Sequence, residues 1–307
     1  MLFVTDGEKM STEQVPRNDV LKLIAMITML TDHIGHMFFP QHAIFRSVGR
    51  LAFPIFAYLL AVGYEKTSSL KNYARRLFIF GLISQVPYSF FSPGLQFKPF
   101  NLNIMFTLLL GLAVVYLYDL GVAGLKEQSG GRNTKKAVCG AGVLLSVCMI
   151  IILPEALEIA FKDFRLDYGF YGLMLILMFH LFKENGKRMV IGYIILSFAY
   201  TYLYGAKVLT ANSIAWFGEE WSIWKGLSSF GLVLKNIVWY NNGLVTLGGY
   251  FFQARSIFAL VPIFMADSLP GRVRLKKYTA YWFYPVHIAV IVTAAYLLTV
   301  FSPPFTP

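Results

Sequence analysis

The stretch Asn18–Pro40, NDVLKLIAMITMLTDHIGHMFFP, decides how this chain is read. Asn18 or Asp19 offers a side-chain oxygen to the free N–H groups of a first helical turn, and Pro40 ends the run because it has no N–H to continue it. Between them, the twelve residues Val20–Thr31 are apolar apart from Lys22, Thr28 and Thr31, and Asp32, His33 and His36 follow. An Asp or Lys at the centre of a bilayer costs roughly 2.5–3.5 kcal/mol on the insertion scale, so an ionisable cluster in a spanning helix marks a functional site.

The rest of the composition says that such helices span. The chain has 307 residues, 57% of them hydrophobic, 17% aromatic and only 14% charged, which is more apolar surface than a soluble domain hides. Apolar runs of spanning length occur at Asp19–Phe39, Ala43–Tyr64, Tyr73–Phe91, Leu102–Leu120, Ala137–Leu153, Asp167–Phe182, Met189–Tyr204, Gly243–Ala266 and Tyr278–Phe301. The expected fold is therefore an all-α integral membrane protein, a polytopic bundle of about nine transmembrane helices. Ala211–Tyr240 mixes Trp216, Trp221, Trp224 and Trp239 with Glu219, Glu220, Lys225 and Lys235, a composition suited to an amphipathic segment on the outer headgroup boundary.

Residues 1–18 then form a tail, 19–204 carry helices 1–7 and the active-site core, 205–242 form the outer-face interfacial segment, and 243–307 carry helices 8 and 9. No basic n-region or small-residue cleavage site accompanies the first apolar run, so it is expected to remain as an uncleaved span.

Charge sets the orientation. Alternate connections collect Lys9, Arg17 and Lys22; Lys66, Lys71, Arg75 and Arg76; Lys126, Arg132, Lys135 and Lys136; Lys183, Lys187 and Arg188; and Arg272, Arg274, Lys276 and Lys277. These are most of the 27 basic residues, which places the N-terminus in the cytoplasm of a multi-pass cell-membrane protein. The net charge of +11 has the same origin, and no nucleic-acid partner is expected; membrane lipid is the surrounding partner. Cys139 and Cys148 are nine residues apart on one helix, which puts them on opposite faces, unable to pair and suited to the core.

In the first helix, the eleven steps from Lys22 to His33 come within about 20° of whole turns and rise about 16 Å, so both side chains share a face. That length is similar to a pantetheine arm. Coenzyme A with its phosphates near Lys22 would bring a thioester to His33, the candidate general base on an acceptor amine or hydroxyl. Asp32 is placed to orient or charge-stabilise the imidazolium, and His36, one turn on, is within reach of Asp32. A snorkelling lysine is the competing reading of Lys22.

Several stretches resemble the TraX family, named for the pilin N-acetylase of conjugative plasmids. They are LKLIAMITMLTDHIGH (Leu21–His36), VGRLAFPIFAYLLAVGY (Val48–Tyr64), YARRLFIFGLISQVPYSF (Tyr73–Phe90), NIMFTLLLG (Asn103–Gly111), DYGFYGLML (Asp167–Leu175) and FYPVHIAV (Phe283–Val290). The Lys22–His33 spacing also resembles the first-helix motif of the wider transmembrane acyltransferase superfamily. The resemblance implies acetyl-CoA taken from the cytoplasm as co-substrate, a membrane-embedded histidine, and an acceptor across the bilayer. Gly205–Arg255 departs from the pattern on the acceptor side, which leaves a peptide N-terminus, a small molecule or a glycan as the acceptor.

Other polar residues fill in the candidate site. Arg50, one turn beyond Arg46, serves either as a structural partner of Asp32 or in stabilising charge on the reacting carbonyl. Lys71, Arg75 and Arg76 are explained by topology or by phosphate binding. Asn103, Asp167 and Tyr168 stand at helix starts, as caps or acceptor-binding groups. Tyr284 and His287 follow the same logic around Pro285, where His287 is a donor-site group, a second base or a structural histidine. His33, His36 and Asp32 lack further ligands at a telling spacing, so no metal is expected. The reading is an acetyl-CoA-dependent membrane acetyltransferase; the alternative is a proton-coupled secondary transporter using the intramembrane Asp/His/Arg cluster.

Overall fold

The computed structural model describes residues 19–129, 134–238, 247–266, 273–276 and 278–301. The tail 1–18 with Asn18, and Arg132, Trp239, Gly243, Arg272 and Lys277, lie outside the described residues.

The chain is all-α, apart from one short pairing. Helices α1 (Asp19–Phe38), α2 (Ala43–Gly49), α3 (Ala52–Lys66) and α4 (Leu70–Tyr88) come first. Long α5 (Ile104–Ser129) and α6 (Thr134–Ala160) pack along each other, then α7 (Gly169–Phe182) and α8 (Gly186–Ala211) follow. Two-residue strands β1 (Asn101–Leu102) and β2 (Arg165–Leu166) pair in parallel and tie together the chain entering α5 and α7.

Helix α8 continues past Tyr204 to Ala211, and three short helices, α9 (Ser213–Phe217), α10 (Ile223–Ser228) and α11 (Phe230–Val238), fold back on it. Trp221, Val233 and Ile237 bury against Ala206 and Leu209 of α8. Trp224 stays exposed. Lys225 and Trp221 both hydrogen-bond to Glu219, and those bonds hold its carboxyl below the usual carboxylate range.

Among the described residues, five helical stretches are long and apolar enough to cross a membrane: 43–66, formed by α2 and α3 together, 104–126, 135–160, 186–211 and 279–301. The expected nine continuous spans are not all reached. Lys22, Asp32, His33 and His36 dilute α1, and Lys71, Arg75 and Arg76 dilute α4. Helix α7 is apolar but has 14 residues, too few for a bilayer by itself. The eighth expected run is broken into α12 (Leu247–Tyr250), a 3-10 segment (Gln253–Ala259) and α13 (Leu260–Phe264). Helix α14 (Thr279–Phe301) closes the bundle against α1 and α4.

The outside of the bundle is apolar. On α4, Phe78, Ile79, Leu82, Ile83 and Val86 are exposed along one stripe, while Leu77, Phe80, Gly81 and Ser84 turn inward. That is the reverse of a soluble amphipathic helix and is the surface lipid covers. Both cysteines of α6 are exposed on this surface, against the expectation of core positions, because α6 packs mainly on α5 and α7 and leaves its other side open.

The inside is held by close approaches. Gly49 lies directly against Asp32, where an added Cβ would collide with the carboxylate side chain, and Gly35 lies against Phe45 in the same way. These two glycines let α2 lie on the second half of α1. Gly49→Ala is expected to lower stability by about 1–3 kcal/mol through forced separation of the two helices. Gly142→Ala, in open space inside α6, is expected to leave stability unchanged or raise it by up to about 1 kcal/mol. Thermal unfolding in detergent distinguishes the two.

Candidate active site

Two consecutive residues of α1 face different partners, because adjacent helical side chains diverge by about 100°. Asp32 faces α2. Arg46 Nη1 donates to Asp32 Oδ2 at 3.0 Å, and Arg50 Nη2 lies 3.6 Å from the same oxygen. Arg50 is itself deep: its Nη1 donates to Gln253 Oε1 at 3.0 Å, and its guanidinium sits over the rings of Tyr168 and Phe252 at 5.6 and 5.2 Å. Arg46 and Arg50 therefore take the carboxylate expected to support His33 or His36.

His33 faces α14. Its Nδ1 is 2.7 Å from His287 Nε2, and His287 Nδ1 is 2.6 Å from the carbonyl oxygen of Phe283. These distances settle the protons of the neutral pair. A carbonyl oxygen only accepts, so His287 carries its proton on Nδ1 and presents a lone pair on Nε2. His33 then donates from Nδ1, which leaves the lone pair of His33 on Nε2. A neutral imidazole held in this tautomer can serve as a general base, with its orientation fixed from behind. The rings of Phe91 and Tyr284 pack round His33 at 4.8 and 6.4 Å.

His33 opens onto a cavity of about 330 Å³, lined also by Asp32, His36, Arg46, Arg50, Tyr88, Phe91, Lys98, Arg165, Asp167, Tyr168, Gln253 and Tyr284. The buried atoms Asp32 Oδ1, Arg50 Nε and Gln253 Nε2 in its walls have no hydrogen-bond partner among the described residues. Buried polar atoms are rarely left so, and their concentration here marks a place that a polar ligand or water completes. Tyr168 enters α7 with a left-handed backbone (φ 62°), a conformation that costs a non-glycine residue about 1–3 kcal/mol. Stacking of its ring on Phe53, centroids 3.9 Å apart, holds it there. Asp167 donates its N–H to the Leu102 carbonyl and accepts from the Thr107 hydroxyl at its own, which places its side chain on the cavity wall.

A second cavity, of about 500 Å³, lies toward the opposite, basic end of α1. Lys22, Lys66, Arg76 and Lys276 line it together with Leu59, Leu60, Leu77, Met105 and Leu108. Lys22 pairs with Asp19 at 2.8 Å, and Arg76 lies between the rings of Tyr73 and Tyr281. Lys22 and His33 thus open onto two adjoining cavities rather than one, with Phe56 in the wall of both.

The remaining sequence candidates fall elsewhere. Lys71 and Arg75 are exposed and line neither cavity. Asn103 is fully buried as the cap of α5: its amide donates to Gly81 O and Gln85 Oε1, and its oxygen accepts from Met105 N–H. It lines neither cavity. Gln253, Lys98 and Arg165 were not among the sequence candidates. Gln253 was findable as a polar residue in the apolar run FFQARSIFAL; Lys98 and Arg165 reach the site only through loop and strand geometry.

An all-α bundle with apolar flanks and a polar, histidine-bearing cavity between its helices defines the class, an integral membrane protein with an internal polar site. Residues 17–294 match the model of the TraX protein family, and the chain belongs to that family. It is 25% identical over 289 residues to the probable fimbrial assembly protein FimC, serogroup H1, of Dichelobacter nodosus, covering 91% of this chain and 95% of that one. It is also 34% identical over 101 residues to the uncharacterized protein RP591 of Rickettsia prowazekii (strain Madrid E), covering 33% and 37% of the two chains. No solved structure matches the chain.

Asp32→Ala is expected to cost about 3–5 kcal/mol of stability, because it leaves the deep guanidinium of Arg50 and the part-exposed one of Arg46 without their anion. Arg46→Ala should cost less, since the less exposed Arg50 remains on the carboxylate. Chemical or thermal unfolding of both variants in the same detergent checks the ranking.

Proposed function

We propose that this protein is an integral membrane acyltransferase that uses acetyl-CoA from the cytoplasmic side and acetylates an amine or hydroxyl. The observation that carries this reading is the His33–His287 pair, with a free imidazole lone pair in a polar cavity set directly beside an apolar cavity with a cationic rim. The donor cavity fits the chemistry of coenzyme A: Lys22, Lys66, Arg76 and Lys276 suit its phosphates, and the leucine and methionine walls suit a pantetheine arm.

Acetyl-CoA supplies an activated thioester carbonyl. His33 Nε2 takes the proton of the acceptor as the acceptor nitrogen or oxygen bonds to that carbonyl carbon. His287 accepts from His33 Nδ1 throughout and holds the ring in place, acting as a positioning residue. Arg50 or Arg46 faces the negative charge that develops on the carbonyl oxygen. His33 then returns the proton to the sulfur as the C–S bond breaks, so the products are acetylated acceptor and free coenzyme A thiol.

The positive-inside bias puts the end of α1 with Lys22 in the cytoplasm and the His33 cavity toward the outer half. Asp167 and Tyr168, on the wall of that cavity, are placed to meet the acceptor. The family name and the fimbrial relative favour a protein N-terminus among the possible acceptors.

Purified protein in nanodiscs, incubated with acetyl-CoA, tests the proposal. Thiol release is expected in the wild type. His33→Ala should reduce it by about 10²–10⁴-fold with coenzyme A binding retained. Lys22→Ala should instead weaken binding, and His287→Gln should lower kcat at unchanged KM. Absence of acetyl-CoA binding and consumption, with solute movement in proteoliposomes that depends on His33, would contradict it in favour of a transporter.

A further inference from the structure

The two cavities share one lining side chain, Phe56. On α3, Ala52, Phe53 and Phe56 line the histidine cavity, while Phe56, Leu59, Leu60, Gly63 and Lys66, flanked by Val62, line the basic-rimmed one. These spacings of three and four make a single helical stripe that runs through both, with Phe56 at the junction.

The other walls agree on where the boundary falls. Consecutive residues of α5, Ile104 and Met105, belong one to each cavity. On α14 the change comes between Tyr281 and Tyr284, less than one turn or about 4.5 Å of rise.

The neighbours of Phe56 are locked. Phe53, Ile55 and Ala57 are 1%, 0% and 0% exposed, whereas Phe56 is only part-buried and borders both cavities. A phenyl group turns about χ1 and χ2 without breaking a hydrogen bond, so its displacement leaves no polar atom unpaired.

We propose that Phe56 is the gate between the donor and acceptor cavities and restricts the donor to short acyl groups. This rests on the acyltransferase reading. The carbonyl carbon must pass Phe56 to come within reach of His33, and whatever is attached beyond it then lies in the upper cavity. An acetyl group passes with a small turn of the ring, whereas a longer alkyl chain must hold the ring displaced along its whole length, so the ring at the junction sets the chain length that enters. With the ring closed, Phe56 also keeps water of the upper cavity from the thioester waiting below.

The test compares Phe56→Ala, Phe56→Leu and Phe56→Trp with wild type, in nanodiscs, using acetyl-, butyryl- and octanoyl-CoA. Coenzyme A binding and thiol release without added acceptor are measured for each, and Phe56→Leu controls for folding. Phe56→Ala should raise hydrolysis of butyryl- and octanoyl-CoA relative to acetyl-CoA by about tenfold or more. Phe56→Trp should keep coenzyme A binding within about twofold and lower turnover by about 10²-fold, the scale of an angstrom-sized misplacement. Wild type that consumes acetyl-CoA, together with Ala and Trp variants of unchanged chain-length preference and rate, would overturn the gate alone. Wild type that neither binds nor consumes acetyl-CoA would remove the acyltransferase reading and the gate with it.

Discussion

A carboxylate shared by two guanidinium groups among apolar helices is the constraint from which the rest of this structure follows. Asp32 in water would gain little from either arginine, but in a low-dielectric bundle removing one partner of such a group is far more costly than on a surface. Arg46 and Arg50 bind α1 to the α2–α3 corner, and Gly49 leaves the room for it. This fixes the rotation of α1. With Asp32 directed at α2, the next residue is carried round to α14, and His33 meets His287 there. The ion cluster and the histidine pair are thus two readouts of one helix orientation.

That orientation also sorts the interior into two environments. Toward the far end of α1 lie Asp32, His33 and His36 with the arginines and tyrosines around them; toward its start lie Lys22 and an apolar hollow with cations at its rim. Base chemistry and storage of a flexible apolar arm need different surroundings, and one helix borders both. The β1–β2 pairing fastens the far side, because it sets the entry of α5 and α7 and so the position of Asp167 and Tyr168.

Much of this was legible in the residues. The periodicity of Asp19–Phe38 and the clustering of Asp32, His33 and His36 marked the central helix and its ionisable face, since charges in an apolar run are seldom neutral to function. Which partner each would find was not legible. Asp32 had His33, His36 and Arg50 as candidates, and only helix packing assigns it to the arginines. His287 is 254 positions from His33, and no local spacing reports such a contact. The break at 247–264 is hidden in the sequence because its apolar content is that of a continuous span, and the Gln253 contact with Arg50 joins residues 203 positions apart. Lys71 and Arg75 illustrate the converse: position beside Arg76 suggested a shared role, yet their helical angles turn them outward.

The most direct measurement is an experimental structure of the protein with coenzyme A bound. The account predicts phosphate density beside Lys22 and Arg76, with the pantetheine arm rising between α3 and α14 so that its sulfur ends against the Phe56 ring, on the side away from His33. Density for the arm on the lipid-facing surface, or entering the histidine cavity from the end carrying Lys98 and Arg165, would contradict it.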